Sequence, residues 1–285
     1  MKQIFVADSQ ILNEVMSCAR KAHFTFDKNL IPVFKPSYFE TGDLIHVMLA
    51  EYFRLRMYRT RWITNNTSHA DIVGICVKVG MNHAVKLSLA PTEIDDVVRT
   101  FQEYTAHIAN NGWDNIKAVE EVGVKTLYED ENLVILYQFK IDLIISLQNC
   151  AILPIDHKSS KQRRDPNKLS NQFMGYCWGL GVNNIIENKI GFQKTLKPEE
   201  KFNEHTLSYS QDALEEWREI AIYWLLKYFH DSGSNFYPAN FTSCDKYAGC
   251  IFRDVCTSSK EVREMKLLQM FETRPDKWDV GKAGL

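Results

Sequence analysis

Two aspartates and a lysine sit where charge is costly. Asp142 lies inside QFKIDLII, and Asp156 and Lys158 lie in ILPIDHKSS, runs otherwise apolar and rich in β-forming residues. Charged side chains in such runs destabilise the fold unless they are paired or hold a metal. Residues two apart on a strand share a face, so Asp156 and Lys158 point the same way, and Asp142 can meet them from a neighbouring strand. Two carboxylates can hold Mg2+ or Mn2+, which stabilises charge on a phosphoryl oxygen and activates water. A lysine beside them can orient or deprotonate that water. The set suits hydrolysis of a phosphodiester; an Asp–Lys pair at a strand end is the alternative reading of D-x-K alone.

Cysteine supplies the second constellation. Of seven cysteines, Cys244, Cys250 and Cys256 fall together in SCDKYAGCIFRDVC, with five residues in each gap. Three thiolates leave one position open on a tetrahedral metal or an iron cubane, and Cys18 in MSCARKAHF is the natural fourth. Zinc is the alternative metal, although zinc sites more often use short C-x-x-C knuckles. Cys76, Cys150 and Cys177 read as buried free thiols. An odd cysteine count with no secretion signal argues against a disulfide framework.

The elements that must position these residues follow from periodicity. Helical patterns cover residues 10–24, 92–110 and 41–59, the last with Thr41 as cap and an apolar stripe from Leu44 to Leu55. The period then changes: strand-like runs at 119–127, Leu133 to Ser146 and Ala151 to His157 read as a meander. A helix over Leu169 to Gly181, a strand over Ile185 to Gln193, an apolar helix over Asp212 to Phe229 and a charged helix from about Ser258 complete the chain. This order predicts an α/β fold, a small mixed sheet flanked by helices. No glycine-rich phosphate loop is present.

With 285 residues, 45% hydrophobic and 25% charged, the chain can bury a sizeable core in one domain. We expect a mainly helical part over 1–110, a catalytic αβ core over 111–200, and a helix with the cysteine cluster over 201–285. The apolar runs are too short to span a bilayer and the start lacks a signal-peptide core, so the expected location is cytoplasmic, or wherever the host keeps its DNA. A net charge of -2 does not by itself point to nucleic acid. Basic residues nevertheless cluster at Lys158, Lys161, Arg163, Arg164 and Lys168, and at Arg54, Arg56, Arg59 and Arg61.

Four elements in this order resemble the RecB-like branch of the PD-(D/E)XK nucleases, the branch of AddB and the CRISPR-associated RecB-like exonucleases. Gly42 and His46 in TGDLIHVMLAEYF look like its G-x-x-x-H helix; KIDLI and IDHKS look like its strands; Gln172 and Tyr176 in NQFMGYCW look like its Q-x-x-x-Y helix. Phe139 stands where the family often has glycine. The resemblance implies a restriction-endonuclease-like core in which His46, Asp142, Asp156 and the backbone carbonyl of His157 bind Mg2+ or Mn2+. It adds Glu120, preferred over Glu121, as a further acidic position. It places Gln172 and Tyr176 beside the reaction centre and implies a [4Fe-4S] cluster on Cys18, Cys244, Cys250 and Cys256. The implied activity is a DNA exonuclease acting on single-stranded or frayed ends in recombination, repair or phage DNA processing. An endonuclease, or a DNA-binding assembly module on the same fold, is the alternative. Lys161, Arg163 and Arg164 are then expected to hold the phosphate backbone and Tyr176 to stack on a base.

Overall fold

The computed structural model describes residues 2–33, 37–62, 67–109, 113, 115–148, 150–160, 165–245 and 249–279. It divides into two compact units. Unit 1 comprises Met1–Lys35, Val124–Phe139 and Asp212–Ala283; unit 2 comprises Pro36–Gly123, Lys140–Gln211 and Gly284–Leu285.

Unit 2 begins with α3 (Ser37–Trp62), α4 (His69–Ala84) and α5 (Pro91–His107). Ser68 caps α4 by accepting from the Asp71 N–H, and Pro91 opens α5 with its φ already suited to a first turn. The apolar stripe of α3, Leu44, Ile45, Met48, Leu49, Tyr52 and Phe53, is fully buried against α4, α5 and the sheet. Helix α3 starts four residues before Thr41, which is a buried position within the helix and not its cap.

Strands β3 (Ile116–Glu129) and β4 (Leu133–Ser146) contribute residues to both units. In unit 2, the end of β4 pairs antiparallel with β5 (Ile152–Ser160), β5 pairs parallel with β6 (Asn184–Gly191), and β6 pairs antiparallel with β7 (Phe202–Ser208). Helix α6 (Asn171–Leu180) makes the crossover between the parallel strands β5 and β6, capped by Ser170 and ended by Gly181 at φ 70°. The short α7 (Pro198–Lys201) precedes β7. Along β5 the His157 ring meets Phe53 of α3 and Tyr104 of α5, while Asp156 and Lys158 meet Gln172 of α6. The two-residue period of the strand thus divides β5 between helices on opposite faces.

In unit 1, β1 (Gln3–Ala7) pairs parallel with the first half of β4, and β2 (Leu30–Pro32) pairs antiparallel with β8 (Phe271–Thr273). The expected helix over 10–24 is broken. Helix α1 (Ser9–Ser17) stops at Cys18, whose backbone is extended, and α2 (Ala19–Ala22) runs into a π-helical turn at His23–Asp27. Helices α8 (Gln211–Gly233), α9 (Arg253–Cys256) and α10 (Lys260–Met270) complete the unit. The whole is an α/β fold with a mixed sheet flanked by helices, as the element order predicts.

Candidate metal centre and catalytic site

The antiparallel ladder between β4 and β5 runs from Ser146↔Ile152 to Leu143↔Ile155 and then ends. One further step would set Asp142 opposite Asp156. There the Asp142 carboxylate takes over from the ladder: its Oδ2 accepts the His157 N–H at 2.7 Å. Asp156 is buried and Asp142 half-buried, and at this step the Asp142 carboxylate turns to a backbone donor.

His46 of α3 brings its Nδ1 to 3.6 Å from Asp142 Oδ2. Glu120 of β3 completes a group in which one ligand atom from each of His46, Glu120 and Asp142 lies within 4.8 Å of the others. Among the described residues this is the group that could hold a metal ion. Glu120 reaches it with φ +57°, a left-handed conformation that costs a non-glycine residue about 1–3 kcal/mol and takes it out of the regular strand alternation. Lys140 neutralises Glu120 at 2.5 Å, whereas Glu121 is exposed. Burial pushes the Asp142 carboxyl up to about 7; the His46 imidazole opposes this, and Asp156 and Glu120 reinforce it. Crowded, partly neutralised carboxylate oxygens with one imidazole form a donor set that fits Mg2+ or Mn2+.

Asp156, only 1% exposed, lies outside that triad. Its Oδ2 is 2.7 Å from Lys158 Nζ, and its Oδ1 accepts from Gln172 Nε2 at 3.1 Å. Gln172 Oε1 accepts from Lys158 Nζ at 2.8 Å, so one amide bridges the carboxylate and the ammonium. The Gln172 nitrogen also donates to Tyr176 OH at 2.7 Å. Burial works to lower the Lys158 pKa, but the Asp156, Asp142 and Glu187 carboxylates outweigh it and raise it, so the lysine is an ammonium. Tyr176 is buried, with its hydroxyl accepting from Gln172. Lys161, Arg163 and Arg164 lie outside the described residues.

Glu187 is missing from the sequence-based set. It pairs in register with Asp156 on β6, is 6% exposed, and has its carboxyl raised first by burial. Its sequence signal was a glutamate inside the apolar run NIIENKIGF, the same signal that marked Asp142.

The four expected cysteines all fall in unit 1, but among the described residues they do not form a group of three or more ligand atoms within 4.8 Å of one another. Cys18 Sγ accepts the Asn240 N–H at 3.4 Å, and the Cys250 N–H donates to the Cys244 carbonyl at 2.7 Å. Burial raises the thiol pKa values of Cys244, Cys250 and Cys256, and each of the three is also raised by Cys18 and by one other member of the set. Cys76 and Cys177 are buried. Cys150 is exposed, against expectation, because it sits in the turn after β4 with φ 64°.

The chain matches no family model and no curated protein sequence. It is similar to solved structures at low identity. SSO0001 is 14% identical with a TM-score of 0.37, over 79% of this chain and 97% of that one. The alkaline exonuclease LHK-Exo from Laribacter hongkongensis is 10% identical with a TM-score of 0.34, over 65% and 94%. Its complex with dAMP is 8% identical with a TM-score of 0.35, over 70% and 95%. Likeness at this level transfers no residue roles, so the functional reading rests on the site.

Proposed function

We propose that the chain is a Mg2+- or Mn2+-dependent DNA nuclease of the PD-(D/E)XK type, in its RecB-like branch, with 111–200 as catalytic core. The observation that carries this reading is the junction of two polar groups where the β4–β5 ladder ends: His46, Glu120 and Asp142 on one side, Asp156, Lys158, Gln172 and Tyr176 on the other. The bound cation would supply Lewis-acid stabilisation of the phosphoryl oxygens and a more acidic water. His46, Asp142, Asp156 and the His157 carbonyl would hold it, with Glu120 as the additional carboxylate. Asp156, held by Lys158 and Gln172, would offer a carboxylate oxygen to the cation, and Gln172 would keep the Lys158 ammonium aimed at the attacking water and the developing charge. Lys161, Arg163 and Arg164 hold the phosphate backbone, which gives binding without sequence preference. We assign exonuclease action on single-stranded or frayed ends, in recombination, repair or phage DNA processing. End-labelled linear DNA and internally labelled circular DNA, single- and double-stranded, test this with Mn2+: an exonuclease spares the circles, whereas an endonuclease cuts them.

The same reading assigns a [4Fe-4S] cluster to Cys18, Cys244, Cys250 and Cys256, with a structural role. Its support is the cysteine pattern of the sequence, with all four residues in one unit. Metal analysis after anaerobic purification separates it from zinc: about four irons per chain against one zinc.

A further inference from the structure

His157 is named for its backbone, yet its side chain is the most enclosed imidazole in the catalytic motif, 2% exposed. The ring stacks on Phe53 at 5.3 Å with planes 5° apart, and Tyr104 and Trp113 flank it. Asn188 of β6, register partner of His157, places its Nδ2 2.7 Å from the imidazole Nδ1 and donates to Tyr104 OH at 2.6 Å. An amide nitrogen can only donate, so Nδ1 accepts and the ring proton lies on Nε2. That Nε2 is buried without a hydrogen-bond partner among the described residues. A phenylalanine would fill the same aromatic slot and leave no orphaned N–H, so packing alone does not account for histidine here.

The backbone of the same residue does account for it. The His157 N–H holds Asp142 Oδ2 where the β4–β5 ladder has ended, while β5 stays paired with β6 on its other side. On the opposite face of β5 the imidazole is fastened to β6 through Asn188, to α5 through Tyr104 and to α3 through Phe53. Helix α3 also carries His46, seven residues before Phe53 and so on the same face.

We propose that the Tyr104–Asn188–His157 chain is a positioning device: it fixes the peptide N–H that aims the Asp142 carboxylate at the divalent cation. This rests on the metal-centre reading above. The His157 imidazole and Asn188 touch neither substrate nor cation; they act through Asp142.

The test is Mn2+ affinity measured by electron paramagnetic resonance on chelator-stripped protein without DNA, beside melting temperature in EDTA. His157→Phe and Asn188→Leu should weaken Mn2+ binding by about tenfold or more, the effect of removing a group that orients a metal ligand. His157→Gln, whose amide oxygen can accept the Asn188 N–H, should recover part of the loss. Tyr104→Phe removes one hydroxyl and no ring, so it keeps the test informative if the other variants misfold; it should weaken binding less, in the same direction. Folded variants with wild-type Mn2+ affinity and only a lowered melting temperature would overturn the inference and leave the metal centre standing. Wild-type protein that binds no Mn2+ would overturn both.

Discussion

Asp142 carries the sharpest consequence at the scale of single residues. Its carboxyl is raised from 3.8 to about 7, chiefly by burial. In metal-free protein the folded state therefore keeps a proton that the unfolded state has lost. Its stability contribution is complete below pH 3.8 and disappears as pH rises through about 7. A bound cation replaces that proton, so the gain in melting temperature on adding Mn2+ should grow from pH 5 to pH 8, and binding should release protons. Melting curves with EDTA and with Mn2+ across that range check this; a gain independent of pH would contradict it. The aspartates and Lys158 were legible in the sequence because charge inside apolar β-rich runs is costly. Glu187 gave the same signal but no D-x-K spacing went with it, and its register beside Asp156 appears only once β5 and β6 pair.

At the scale of elements, the centre depends on how α3 approaches its neighbours. Gly80 of α4 packs on Met48 of α3: an added Cβ would come within 2.5 Å of Met48 Cγ. Alanine at a helix interior gains about 1 kcal/mol over glycine, while overpacking a buried contact costs about 1–3 kcal/mol. Met48 is wholly buried and cannot swing into solvent, so the clash should win. Gly80→Ala should destabilise the protein by about 1 kcal/mol in urea unfolding and weaken activity through His46; a more stable variant would show that α3 can shift freely. The central strands were readable from composition, and β4 spans Leu133–Ser146 as its β-branched and aromatic run predicts. Helix α4 was not read, because His69–Ala84 is apolar on more than one face and gives no clear stripe. The short β1 and the partly polar β7 went unread too, since strands this short carry little period of their own. The break at Cys18 could not be read from helical spacing, which continues across it.

For the whole molecule, the candidate metal ligands His46, Glu120 and Asp142 fall in one compact unit and Cys18, Cys244, Cys250 and Cys256 in the other. Among the described residues no helix is long and apolar enough to cross a membrane. Cys18 and the segment after Pro238 come from opposite ends of the chain and are joined by the Asn240–Cys18 and Arg20–Pro238 bonds. Cys250→Ser should therefore lose iron and lower the melting temperature together, as expected where metal binding is coupled to folding. Iron-free wild-type protein of equal stability would count against the cluster. The division of β3 and β4 between two units was not legible in the sequence, since that depends on which distant segments pack on each half.

The most direct measurement of the central claim is cleavage of end-labelled DNA with and without Mn2+ by wild-type protein, Asp156→Ala and Lys158→Ala, with Mn2+ binding measured on each. The wild type should cleave DNA with Mn2+ and not without it. Asp156→Ala should lose cleavage. Lys158→Ala should fall by about 10²–10⁴-fold in turnover while still binding Mn2+. Cleavage by Lys158→Ala at the wild-type rate in EDTA would contradict that claim.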